Sequence, residues 1–155
     1  MALELTGDKP VFIDVFNGVQ DLGAKILRTP VSPEQSFSDD PLRMMRAARF
    51  AAQLNFEVEA SALKAMHEMA ERINIISAER VRDELIKLLM SDQPRKGIEI
   101  LVATGLADLV LPEIPKLKLE IDEHHHHKDV YEHSLTVLEQ AIALEARLEI
   151  GRAHV

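Results

Sequence analysis

Between Leu42 and Leu54 only Arg43, Arg46, Arg49 and Gln53 interrupt an otherwise apolar run of Leu, Met, Ala and Phe. Wound as a helix, such a segment shows apolar side chains on nearly every side, and it is stable only when other elements surround it. The run therefore predicts the central helix of a larger helical assembly. It also carries three guanidinium groups into those surroundings, where each needs an anion or a hydrogen-bond acceptor. Spaced three apart, they climb one side of the helix in a slow arc, and Asp40 stands one turn before Arg43 on that side.

Further helices to surround it are signalled along the chain. Ser38 or Asp39 is expected to cap the central helix, with Pro41 in its first turn, where a missing N–H does no harm. A second helix is expected over residues 59–72, with Leu63, Met66, Ala70 and Ile73 on one face. A third follows Ser77 as cap, with Glu79 near its positive end and Val81, Leu85 and Leu88 stacked at helical spacing. A fourth opens at Pro94, turns Ile98, Leu101 and Val102 inward and stops at Gly105. Pro112 and Pro115 then break the chain before a polar linker, and a last helix is expected over about 128–148. Residues 11–16 form a short β-prone run ending in the Asn17-Gly18 turn signal. A solitary strand is not stable, so either its partner lies outside the chain or residues 1–30 are poorly ordered in isolation.

The fold class expected is mainly α, with a core of Leu, Ile, Ala, Val and Met, since the 155 residues include five Phe, one Tyr and no Trp. The absence of Cys excludes disulfides, thiolate zinc sites and thiol nucleophiles, and suits a reducing cytoplasm. No apolar run approaches the ~20 residues that cross a bilayer. A net charge of −8 argues against gripping nucleic acid by bulk attraction. Residues 1–50 hold six Lys and Arg against seven Asp and Glu, and residues 51–155 twelve against nineteen, so any polyanion must be met by a local cluster.

Asp40 and Arg43 make chemical sense as a reader of bases. Cytosine and adenine each offer an exocyclic amino donor beside a ring-nitrogen acceptor. A carboxylate can accept from the amino group while a guanidinium donates to the ring nitrogen. Uracil and guanine place a carbonyl where the amino group would be, and the carboxylate repels it. Arg46 would contact phosphate or hold the first two in place. The competing readings are that Asp40 is only a helix cap, and that the arginines pair internally with Asp14, Asp21 or Asp39.

The stretch from Phe37 to Ala52, Phe-Ser-Asp-Asp-Pro-Leu-Arg-Met-Met-Arg-Ala-Ala-Arg-Phe-Ala-Ala, closely resembles the nucleotide-selecting motif of the bacterial CCA-adding and poly(A) polymerase family (class II). In that family the acidic pair followed by Arg acts as a protein template for CTP and ATP. The resemblance implies this role for Asp40 and Arg43, with Arg46 and Arg49 in the same nucleotide-binding set. Residues 17–22 and 26–28 resemble the hinge between catalytic head and neck, which implies supporting roles for Gly18, Asp21 and Arg28. Residues 77–89 resemble the neck helix, where Ser77, Arg80 and Glu84 would hold the neck, and residues 105–113 resemble the body.

On this resemblance residues 1–30 are the end of the head, 31–115 a nucleotide- and RNA-binding neck and body, and 116–149 a linker and first helix of a truncated HD-type domain. His133 would be that domain's first metal ligand. The four histidines 124–127 are read as an inert linker able to bind nickel or zinc adventitiously, and residues 150–155 as a non-native tail. The family's two metal-binding carboxylates precede the stretch matched here, so Mg²⁺ is expected in the complete enzyme with its ligands outside this chain. The chain is then expected to begin at an internal Met and to be inactive alone. The activity implied is template-independent addition of CCA to tRNA 3′ ends, with tRNA, CTP and ATP as partners and a cytoplasmic location. Two alternatives fit the same residues: a poly(A) polymerase using ATP only, and a non-catalytic helical or HD-type metal-binding module. Nothing in the sequence sets an oligomeric state.

Overall fold

The structure is a computed structural model and describes residues 2–4, 11–119 and 130–148. The β-prone run finds its partner within the chain. Strand β1 (Ala2–Glu4) pairs antiparallel with β2 (Val11–Ile13), Leu3 opposite Phe12. The expectation of an external partner or a poorly ordered segment is thus corrected. The strand is also three residues long rather than six, because Asp14 turns the chain: its carboxylate accepts the N–H of Gly18 at 2.9 Å and of Val19 at 2.8 Å, the first amides of α1 (Gly18–Ala24). Asn17, just before α1, is left-handed, with φ 55°, as a turn residue that tolerates that region should be.

After α1 come β3 (Ile26–Leu27), α2 (Pro33–Asp39) and α3 (Leu42–Leu54), and then β4 (Glu57–Val58), which pairs parallel with β3. Helix α2 was not expected. Its start is written in Ser32-Pro33: the Ser32 hydroxyl accepts the Gln35 N–H at 3.2 Å and Pro33 stands in the first turn. Ser38 and Asp39 are consequently helical residues of α2 and cap nothing. Asp40 and Pro41 join α2 to α3, and the Asp40 carboxylate accepts the Leu42 N–H at 3.2 Å.

The later helices follow the expected plan. Helix α4 (Ala60–Met69) tightens into a 3₁₀ helix (Ala70–Ile75), and α5 (Ala78–Leu89) begins after Ser77, although the serine hydroxyl makes no capping bond. Helix α6 (Pro94–Ala103) ends before Gly105, whose φ of 77° is the left-handed conformation that glycine adopts without strain. Helices α7 (Leu106–Val110) and α8 (Glu113–Lys116) and a 3₁₀ turn (Leu117–Leu119) fill the stretch expected to be broken by prolines, and α9 (Val130–Leu148) closes the described chain. Histidines 124–127 and the tail 150–155 lie outside the described residues. No described helix is long and apolar enough to cross a membrane.

Helix α3 is the centre, packed against α5 and α6, while α2 packs on α4. Its Leu42, Met44, Met45, Ala48 and Ala51 are at most 2% exposed, and the alanines let neighbouring backbones approach. Helices α5 and α6 also meet closely: a Cβ on Gly97 would lie 2.8 Å from Leu88 Cγ. Helix α9 docks by burying Tyr131 and Leu135. It is tied to α6 by Arg95, which donates to Glu132 at 2.8 Å and Thr136 at 3.2 Å and pairs with Glu139 at 3.1 Å. The Glu132 contact foremost raises the Arg95 pKa above its ordinary value.

Two outcomes follow. Leu88 is fully buried and cannot yield, so Gly97→Ala should destabilise the protein by about 1–3 kcal/mol, read as a lower midpoint in urea; an unchanged midpoint would refute the close approach. The Asp14 carboxyl is held below the usual carboxylate range, chiefly by the Val19 N–H, with burial opposing. A lowered folded-state pKa stabilises above the ordinary carboxylate value and is lost as pH falls through the lowered one. Protection of the Gly18 and Val19 amides from exchange, measured relative to the intrinsic rate at each pH, should fall over that acid window in the native chain, and be low and pH-independent across it in Asp14→Asn.

Candidate nucleotide-binding site

The three arginines of α3 have separate fates. Arg49 is enclosed, its side chain 14% exposed. Its Nε donates to Glu84 Oε2 at 2.7 Å, its Nη1 to Gln53 at 2.8 Å, and its guanidinium lies 4.1 Å from the centre of the Phe50 ring. Arg46 shares the same carboxylate through Glu84 Oε1 at 3.3 Å but is 42% exposed. Arg43 meets no carboxylate among the described residues. Its Nη1 donates to the hydroxyl of Ser36 at 3.1 Å and to the Ser36 carbonyl at 3.3 Å.

The anions expected to meet these arginines are engaged elsewhere. Asp14 holds the first turn of α1, Asp21 pairs with Arg28 at 3.2 Å, and Asp39 accepts from Gln35 at 2.7 Å. Glu84 takes their place, with its side chain 6% exposed. A signal for it existed: Glu84 falls three residues after Val81 and four before Leu88, on the apolar stripe of α5, where a lone carboxylate implies a buried cationic partner. Ser36 was missed because α2 was missed.

Asp40 occupies the corner between α2 and α3. One carboxylate oxygen accepts the Leu42 N–H, and the other lies 3.6 Å from Arg80 Nη2 on α5. The capping role weighed against base reading is therefore present, and Arg80 ties α5 to the same corner. Arg28 bridges Asp21 of α1 and Glu59 at the entrance to α4, the latter at 3.0 Å. Gly18 takes part only through its N–H to Asp14.

Beside Arg43 opens a cavity of about 350 Å³, walled by Arg28, Arg43, Arg46, Phe37 and Phe50 among others. Asp40 is not among its lining residues. The walls combine guanidinium donors with aromatic and aliphatic surface, which suits a flat, polar-edged, anionic ligand. His133 is exposed on α9. No group of three or more His, Asp or Glu able to hold a metal ion occurs among the described residues.

Residues 55–117 match the family described as the probable RNA and SrmB-binding site of polymerase A. Helices α4 to α8 thus correspond to a region described as a probable RNA-binding site of a polymerase family. The CCA-adding enzyme of Pediococcus pentosaceus is 43% identical over 105 residues, which are 68% of this chain and 26% of that protein. Among solved structures, the Bacillus stearothermophilus CCA-adding enzyme in complex with CTP superposes with a TM-score of 0.60 at 36% identity, over 61% of this chain and 24% of that one. The Thermotoga maritima CCA-adding enzyme complexed with tRNA shares the fold at 22% identity, with a TM-score of 0.59 over 87% of this chain and 42% of that one. The chain belongs to the class II CCA-adding enzyme and poly(A) polymerase family, covers its RNA-binding neck and body region, and spans about a quarter of the length of the Pediococcus relative.

The buried carboxylate sets a measurable hierarchy. Removing one partner of a buried ion pair costs about 3–5 kcal/mol, while exposed pairs contribute about 1 kcal/mol or less. Glu84→Ala should therefore destabilise the protein by about 3 kcal/mol in urea unfolding. Arg49→Ala should cost clearly more than Arg46→Ala, and the reverse order would contradict this placement.

Proposed function

We propose that Asp40 and Arg43 select the base of CTP or ATP in a template-independent tRNA nucleotidyltransferase that adds CCA to tRNA 3′ ends. The observation that carries this reading is the unneutralised Arg43. Of the three α3 arginines it alone has no acidic partner among the described residues, and it lines the cavity. Its remaining donors can meet a ring nitrogen while the Asp40 carboxylate accepts from the neighbouring amino group and repels a carbonyl. Arg46 has spare donors for a phosphate, whereas Arg49 keeps the helix in place. Arg80 supports the corner at Asp40, while Gly18, Asp21 and Arg28 support the segment that walls the cavity on its other side. Residues 31–115 would meet the nucleotide and the tRNA 3′ end. The residues described here supply selection rather than phosphoryl transfer, so the 155-residue chain by itself should incorporate no nucleotide. A second reading, a poly(A) polymerase using ATP only, is favoured by the polymerase A description of the matched family.

Binding of the four nucleoside triphosphates to the chain tests this. Arg43→Ala should weaken CTP and ATP by about 10–100-fold, the worth of one bidentate base contact, with a melting temperature near that of the unmodified chain. Asp40→Asn should relax rejection of UTP. Undiminished CTP binding by Arg43→Ala would sink the reading, and binding of ATP without CTP would favour the second one.

A further inference from the structure

The base-selecting pair depends on a residue outside α3. Ser36, on α2, is 1% exposed, and it touches both members of the pair. Its carbonyl accepts the backbone N–H of Asp40 at 3.2 Å and Nη1 of Arg43 at 3.3 Å, and its hydroxyl lies 3.1 Å from that same Nη1. Both acceptors are neutral, so they orient the guanidinium without cancelling its charge, in contrast to Glu84 acting on Arg46 and Arg49. The geometry matters as much as the charge. With Nη1 engaged, the Nε and Nη2 donors remain as a parallel fork, one donor of which can meet the ring nitrogen of either base while the other reaches the neighbouring carbonyl of cytosine. Helix α2 is itself anchored, since Arg72 Nη2 donates to the Ser38 carbonyl at 3.1 Å.

We propose that Ser36 is a positioning residue for base selection, holding Arg43 by one amino group so that its Nε–Nη2 edge is presented to the base while the Ser36 carbonyl sets the backbone of Asp40. This rests on the base-selecting reading of Arg43. An aspartate here would neutralise the reader, and an alanine would leave the guanidinium held by a carbonyl alone and free to sample other rotamers. Ordering a long side chain on binding weakens the complex by about two- to tenfold.

Calorimetric binding of CTP, ATP and UTP to the 155-residue chain, unmodified and as Ser36→Ala, Ser36→Thr, Arg43→Ala and the Ser36→Ala/Arg43→Ala double variant, tests the proposal. Ser36→Ala should weaken CTP and ATP by about fivefold and lower the CTP-over-UTP ratio. Ser36→Thr should restore both, and Ser36→Ala should add nothing once Arg43 is gone. Equal weakening of all three nucleotides, or a full additional loss in the double variant, would overturn the role of Ser36 while leaving the reading of Arg43 intact. Unchanged CTP binding by Arg43→Ala, or none by the unmodified chain, would overturn both. Should Ser36→Ala fail to fold, the ¹⁵N order parameter of the Arg43 side chain in the unmodified protein decides: a value as low as that of the exposed Arg82 overturns the proposal.

Discussion

A carboxylate carried into a helical core is tolerated only if cations come with it. Glu84 is such a group: nearly all of its side chain is removed from water, and Arg46 and Arg49 on α3 close on its two oxygens. Taking Glu84 and Arg49 out of water costs on the order of several kcal/mol for each ion, and their mutual attraction offsets this only at good geometry, while Arg46 stays partly solvated. The pair therefore does more to choose an arrangement than to add net stability. It sets the rotation of α3 against α5, and a helix turned so that Arg46 and Arg49 meet Glu84 has Arg43 facing away from that carboxylate. Rolled one residue either way, α3 would bury a different arginine and expose Met44 or Met45.

The rest of the bundle serves that rotation. Ala48, Ala51 and Ala52 on α3 and Gly97 on α6 keep the helices close enough for the Glu84 contacts to form. The cavity beside Arg43 lies where α2, α3 and the short β3–β4 ladder meet, with Phe37, Phe50 and Arg28 around it. Three arginines with similar sequence surroundings thus acquire different chemistry from what each one touches. One is enclosed, one is half-neutralised and exposed, and one is held by neutral oxygens.

What could be read in the sequence follows from the range of the interactions. Helices α4 and α5 were legible because their apolar residues recur at helical spacing, and α6 because Pro94 and Gly105 act within one turn of their own positions. The burial of α3 was legible because thirteen consecutive residues leave few polar positions. Helix α2 was hidden by its neighbour: Ser38, Asp39 and Pro41 look like the start of a helix, while the better signal at Ser32-Pro33 lies six residues earlier. The strand pairings were not legible, since each strand is two or three residues long and its partner is set by tertiary packing. In the site, Asp40 and Arg43 stood out by type and spacing, whereas the assignment of Glu84 to Arg46 and Arg49 spans at least 35 residues and needed the fold.

The β3–β4 ladder is short, with Glu57 N–H on Lys25 and Glu59 N–H on Leu27 beyond the strands' own pairing, and Arg28–Glu59 is its ionic reinforcement. The segment from Gly18 to Arg28 therefore hangs on this ladder, the Arg28–Glu59 pair and the packing of Leu27, while the helices behind it share a continuous apolar core. Such a segment detaches at a fraction of the free energy that unfolds the whole. Since Leu27 and Arg28 form part of the cavity wall, its detachment would leave the cavity open on one side, a latch released ahead of any loss of the bundle itself.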